Sequence, residues 1–267
     1  MKIAVTGKGG VGKTTLSSVL ARLYAEEGRR VLAADVDPDA NLGLALGFSE
    51  DELEKLTPLS EMSDLIAERT GTGKESFGKL FKLNPKVDDI PDRFALEKNG
   101  VKLLIMGTVE TGGSGCVCPE HVLLKRVISN LVVGRDEVVI LDMEAGLEHL
   151  GRGTADFVDR FIVVIEPGAR SIQTYKKVKQ LAADIGVKKI SVVANKVRGE
   201  QDMEFLQSRI PKDELLGFIS YSDDVIGSDR RGCSPYDFGG AAVDEIRKIK
   251  NQIDSETERN GQVDGLV

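Results

Sequence analysis

The stretch GKGGVGKTT, Gly7 to Thr15, constrains this chain more than any other, because a loop of that composition joins a strand to a helix around an anion. It fits G-x-x-x-x-G-K-[ST] at Gly7, Gly12, Lys13 and Thr14. A short apolar run, Ile3 to Val5, leads into it. Leu16, Val19, Leu20 and Leu23 then recur at helical spacing until Gly28 stops the pattern. Glycines remove the Cβ atoms that would block an anion from the backbone. The N–H groups of Gly7, Gly9, Gly10, Val11, Gly12, Lys13, Thr14 and Thr15 are therefore the candidate phosphate ligands. Lys13 would reach the β- and γ-phosphates of a nucleotide and Thr14 would offer its hydroxyl to Mg²⁺. The helix N-terminus adds a favourable dipole to the same site.

Further apolar runs follow at Val31 to Ala34, Val101 to Met106, Val138 to Leu141, Phe161 to Ile165, Ile190 to Ala194 and Leu215 to Ile219. Helical patterns separate several of them, as at Arg170 to Ile185. Alternation of this kind predicts one α/β phosphate-loop domain, a mostly parallel sheet with helices on both faces, over residues 1–253. Residues 48–100 read as an insertion packed on the sheet edge, with a helix start at Thr57-Pro58 and a stop near Gly71. Within it GTGKESFGK lacks a leading strand and the right spacing for a second phosphate loop. A helix is expected from Tyr236 to about Ile253, and the polar run 254–267 predicts a disordered tail.

Several partner classes are disfavoured. A net charge of −7 argues against a broad cationic field for nucleic acid. No apolar stretch approaches the ~18 residues that a membrane span needs, and Met1-Lys2 opens on a strand rather than a signal sequence. Three cysteines in such a chain suit a reducing cytoplasm, where thiols serve as metal ligands more often than as disulfides.

Carboxylates cluster where open parallel sheets bind ligands, at the carboxyl ends of strands. DVDPDAN, Asp35 to Asn41, ends the second run, and Asp142 of DMEAG ends the fourth. Acidic groups there can orient a water toward a γ-phosphate or hold Mg²⁺, and Asp142 is the candidate magnesium contact beside Thr14. Gly146 can present its N–H to a γ-phosphate. Asn195 can bind an adenine edge through the paired donor and acceptor of its amide.

Cys116 and Cys118 form a C-x-C pair after the glycine-rich run Thr111 to Gly115. In extended backbone their sulfurs point to the same side, and Pro119 suits the first position of a helix whose N-terminus favours thiolate. Two thiolates underfill a four-coordinate ion, but two copies across a two-fold axis supply four, so a metal-bridged homodimer is expected. Soft S₄ ligation by itself argues for Zn²⁺ or an iron–sulfur cluster. His121 and His149 read as surface residues, although His121 is close enough in sequence to assist a metal. Cys233, alone in a Gly-Cys-Ser-Pro turn, reads as structural.

The second lysine of the loop, Lys8, has no role in an ordinary phosphate loop. With it, GKGGVGKTT resembles the deviant Walker A ATPases, which include the ParA/MinD positioning ATPases and the nitrogenase iron protein. The resemblance implies that Lys8 reaches the partner's phosphates across a nucleotide-sandwich dimer. It implies that Asp37, before the proline, positions the attacking water, and that ATP is preferred to GTP, Arg198 standing in place of a guanine-reading aspartate. Lys8, Lys13 and Asp37 are then the catalytic set. GKGGVGKTT, DVDPDAN, GCVCPEH and DMEAG together resemble the CooC-type nickel-insertion ATPases that mature carbon monoxide dehydrogenase. Nickel as the metal, and that enzyme or a related nickel enzyme as client, follow from this resemblance alone. The alternatives are a positioning ATPase and an iron–sulfur electron-transfer or assembly ATPase.

Overall fold

The computed structural model describes residues 1–37, 39–71, 82–107, 119–130, 136–144, 158–184, 186–187 and 189–264. In chain order the elements are β1 (Lys2–Gly7), α1 (Lys13–Glu26), β2 (Arg30–Asp35), α2 (Leu42–Ala45), α3 (Glu50–Leu53), a 3₁₀ turn (Leu59–Glu61), α4 (Ser63–Thr70), α5 (Ile90–Phe94), β3 (Leu96–Lys98) and β4 (Val101–Ile105). They continue with α6 (Pro119–Asn130), β5 (Glu137–Asp142), β6 (Arg160–Ile165), α7 (Ala169–Asp184), β7 (Ile190–Val197), α8 (Glu200–Gln207), β8 (Leu215–Ser220), α9 (Asp223–Arg230), α10 (Pro235–Phe238) and α11 (Ala241–Asp264).

The strands form one sheet in the order β3-β4-β2-β5-β1-β6-β7-β8. Every pairing is parallel except β3 with β4. Both faces are covered, and the period of two decides which side chain goes where. Ile3, Val5, Val138, Ile140, Ile162 and Val164 face α1 and α11, whereas Ala4, Val139, Leu141, Phe161, Val163 and Ile165 face α4, α6 and α7. β1 lies between β5 and β6 in the middle of the sheet, so the loop after it emerges at a topological switch point.

Residues 48–100 do more than decorate an edge. Leu59, Leu65, Ile66, Val87 and Ile90 are buried in the core on the α6 side, and β3 adds the antiparallel edge strand. The β3–β4 hairpin turns on Asn99 and Gly100, with φ of 52° and 76°. An Asn-Gly pair with both φ positive is the favoured two-residue turn, a signal the sequence carries openly.

The expectation of a disordered tail after Ile253 is corrected. α11 starts at Ala241, after the separate α10, and runs to Asp264. Asp254 and Glu256, just beyond Ile253, are anchored. Asp254 accepts a hydrogen bond from Tyr24 at 3.0 Å, and Glu256 pairs with Arg160 and Lys189, each at 2.8 Å. Polar composition made the segment look unable to pack; ion pairs to β6 and the residue before β7, and a hydrogen bond from α1, hold it instead.

Candidate functional site

The phosphate loop leaves β1 at Gly7 and enters α1 at Lys13. Gly10 and Gly12 hold φ of 75° and 94°, backbone that L side chains resist, so glycine there is a geometric requirement. At Gly12 space is also short. A Cβ would stand 2.1 Å from Asn195 Nδ2. Gly9 and Gly10 are exposed at the rim, Val11 is buried beneath it, and Thr15 lies half-buried in the first turn of α1. Lys8 is exposed.

Lys13 is buried, and its ammonium lies 3.4 Å from Lys8 O and 3.4 Å from Asp37 Oδ2. The Asp37 carboxylate thus sits beside the phosphate lysine, paired with it. Orienting a water would require Lys13 to turn toward phosphate and release it. Asp35, the last residue of β2 and two positions before Asp37, is buried. Its carboxylate accepts the N–H of Leu42 at 2.9 Å and of Asp37 at 3.2 Å, which ties the aspartate turn to α2. Burial pushes Asp35 up to about 7, against the lowering effect of the Leu42 N–H bond, with the nearby Asp142 charge adding to the rise.

Asp142 ends β5 directly beside Val5 of β1 and Asp35 of β2. Its Oδ2 accepts the Thr14 hydroxyl at 2.7 Å and its Oδ1 accepts the Ser17 hydroxyl at 3.2 Å. Burial pushes its carboxyl up to about 6, while the Thr14 bond, the Lys13 charge and the Ser17 bond oppose that. A buried carboxylate bonded to two hydroxyls is an all-oxygen set that fits the hard Mg²⁺ ion. Thr14 and Asp142 would hold it. Ser17 was not anticipated, although it lies one turn after Thr14 on the same helix and so faces the same way.

Asn195, at the end of β7, packs its amide against the phosphate loop. Its Nδ2 donates to Val11 O at 2.7 Å and its Oδ1 accepts the Lys196 N–H at 2.8 Å, which uses one of the amide's two donors and one of its two lone pairs. Lys196 was also missed. Its ammonium donates to Gly10 O at 2.7 Å and pairs with Glu166.

Cys116, Cys118, Gly146 and His149 lie outside the described residues, as does most of GTGKESFGK. Pro119 does open α6. Among the described residues no group of three or more His, Cys, Asp or Glu side chains is arranged to hold a metal ion. Cys233 bonds to Ser228 O through both its N–H and its thiol, as a turn residue does. Among the described residues no helix is long and apolar enough to cross a membrane.

Comparison with known proteins agrees with this geometry. The family model for the CobQ/CobB/MinD/ParA nucleotide binding domain matches residues 2–235. The carbon monoxide dehydrogenase accessory protein CooC of Rhodospirillum rubrum is 46% identical over 266 residues, covering 100% of both chains. An uncharacterized ATP-binding protein of Methanocaldococcus jannaschii is 48% identical, covering 95% of this chain and 97% of its own. Among solved structures, a putative plasmid partition protein from Borrelia burgdorferi bound to AMPPNP superposes with a TM-score of 0.65 at 17% identity, over 96% of this chain and 99% of its own. At that identity the likeness shows the fold alone. A central strand feeds a glycine-rich loop on which a lysine, a threonine and a strand-end aspartate converge, an arrangement suited to phosphate and magnesium, and the chain is an ATPase belonging to the CobQ/CobB/MinD/ParA nucleotide-binding family.

Proposed function

We propose that the chain is a dimeric accessory ATPase that captures nickel, or zinc, on Cys116 and Cys118 and assists metal insertion into carbon monoxide dehydrogenase or a related nickel enzyme. The observation that carries this reading is the similarity to the Rhodospirillum rubrum accessory protein, which runs the full length of both chains. The C-x-C pair directly before α6 supports it, because thiolates are the ligands a soft divalent cargo needs.

The nucleotide site would act first. Lys13 turns from Asp37 to the β- and γ-oxygens, and the freed Asp37 carboxylate orients a water for in-line attack. Thr14 and Asp142 would hold magnesium, which would supply charge neutralisation on the transferring phosphoryl group. Lys8, exposed at the rim of the loop, reaches the phosphates of a second copy. Closure of two copies around nucleotide brings two cysteine pairs together, giving four sulfurs for one ion. Metal and ATP then favour the same closed state, so each tightens the other's binding by the same factor.

Titrating Ni²⁺ and Zn²⁺ into reduced protein, with and without a non-hydrolysable ATP analogue, tests the reading through the sulfur charge-transfer absorption. One metal per dimer, tighter with nucleotide, is expected. Saturation at one metal per monomer, or an unchanged titration in a Cys116→Ala, Cys118→Ala double variant, would remove the bridging site. Lys8→Ala should keep nucleotide affinity but lose analogue-dependent dimerisation by light scattering. A normal dimer in that variant would make Lys8 an ordinary loop charge.

A further inference from the structure

Two carbonyls of the phosphate loop are gripped by one strand end. Asn195 Nδ2 donates to Val11 O and Lys196 Nζ donates to Gly10 O, each at 2.7 Å. In a trans peptide the C=O and the N–H that follows point in opposite directions. The bond to Gly10 O therefore turns the Val11 N–H away from β7, and the bond to Val11 O does the same for the Gly12 N–H. Both are among the groups a phosphate loop presents to its anion. The Val11 N–H reaches Lys8 O at 3.5 Å within the loop, a long bond that a phosphate oxygen can replace.

Lys196 is placed at some cost for this contact. It holds φ of 57°, and among the described residues only Asn99 is another non-glycine with positive φ. Asn99 has a local reason, the Asn-Gly hairpin turn. A lysine has none, since its side chain gains nothing locally from left-handed backbone. What holds it is tertiary: Glu166, just past β6, pairs with the ammonium, and Asn195 Oδ1 accepts the Lys196 N–H at 2.8 Å.

We propose that Lys196 is a positioning residue for nucleotide binding: together with Asn195 it holds the carbonyls of Gly10 and Val11 outward, so that the N–H groups of Val11 and Gly12 face the phosphates. Glu166 anchors the lysine for that task. The clamp serves the triphosphate and not the base, a distinction that can be measured.

The test compares the binding of Mg-ATP with that of inorganic tripolyphosphate, which has no base, in the intact chain and in Lys196→Met, Lys196→Arg and Glu166→Gln variants. Lys196→Met should weaken both probes by about tenfold, the effect of losing a charge-assisted bond. Glu166→Gln, which leaves the lysine charged but unanchored, should weaken both by a smaller factor. Lys196→Arg should restore most of the affinity, and Tm should be the same throughout. Wild-type affinity of Lys196→Met for both probes would overturn the proposal. So would a loss confined to ATP with tripolyphosphate unaffected, because that pattern belongs to a base contact. Should Lys196→Met fold poorly, Glu166→Gln decides alone, and unchanged affinity for tripolyphosphate in it overturns the anchoring role.

Discussion

The phosphate loop and the aspartate turn meet at the carboxyl end of the central strands and are held in opposite ways. The loop is fixed from a distance: the bonds to Val11 O and Gly10 O come from residues 184 and 186 positions away. The turn is fixed by its own side chains. Asp35 accepts the N–H groups of Asp37 and Leu42, and Asp37 accepts the N–H of Asp39 at 3.1 Å. A loop clamped by another strand changes shape only if tertiary contacts break, whereas a turn held by bonds within seven positions rearranges by exchanging one local partner for another. The first is the fixed reference of the site and the second its responsive part. Lys13 joins them, with one contact to each.

Removing that joint has the largest expected effect. Lys13→Ala should reduce nucleotide binding or steady-state turnover by at least about a hundredfold, since the charge nearest the transferring phosphoryl group is lost. Turnover within a few-fold of wild type would show that neither region depends on the joint.

Gly12→Ala attacks the fixed side. The new Cβ would meet Asn195 Nδ2 at 2.1 Å on backbone of φ 94°, so the clamp must open. A loss of about 2 kcal/mol in chemical denaturation is expected, together with roughly tenfold weaker nucleotide binding. Wild-type stability would mean that the loop tolerates movement of Asn195 and is not the rigid partner.

Asp37→Asn attacks the responsive side. The amide oxygen can still accept the Asp39 N–H, so the turn and nucleotide affinity should survive while turnover falls by about tenfold or more. Equal losses in binding and turnover would place Asp37 in ground-state binding instead.

The smallest effect concerns Asp35. Its folded value of about 7 lies above the ordinary 3.8, so the folded chain binds this proton more tightly than the unfolded chain does. The resulting stabilisation is complete below the ordinary value and is lost as pH rises through about 7. Relative to Asp35→Asn, the wild type should lose about 2 kcal/mol of stability between about pH 5 and about pH 8, measured by urea denaturation at each pH. A pH-independent difference would mean that Asp35 is charged throughout and that the bonds from Leu42 and Asp37 outweigh burial.

The contrast between the two regions also explains what could be read in advance. The loop's glycines, Lys13 and Thr14 follow from local spacing, because a phosphate cradle has to be built from consecutive backbone. Asp142 could be placed because a carboxylate at the end of an apolar strand has few positions open to it. The β3 hairpin was equally legible in Asn99-Gly100 but was passed over in a segment of weak periodicity. Asn195 points to adenine by the chemistry of its amide, and one donor of that amide is taken by Val11 O. Nothing in one residue's donor and acceptor inventory says which partner lies closest.

The sequence by itself determined the strand and helix alternation, the phosphate loop and the carboxylates near it, because each depends on residues a few positions apart. The tertiary structure decided the rest. It chose the strand order that puts β1 between β5 and β6, brought Thr14 and Ser17 onto Asp142, set Lys196 and Asn195 against the loop's carbonyls, and paired Glu256 of α11 with Arg160 and Lys189. Those contacts join residues far apart in the chain. Their partners are selected by packing and strand pairing, quantities that no local pattern carries.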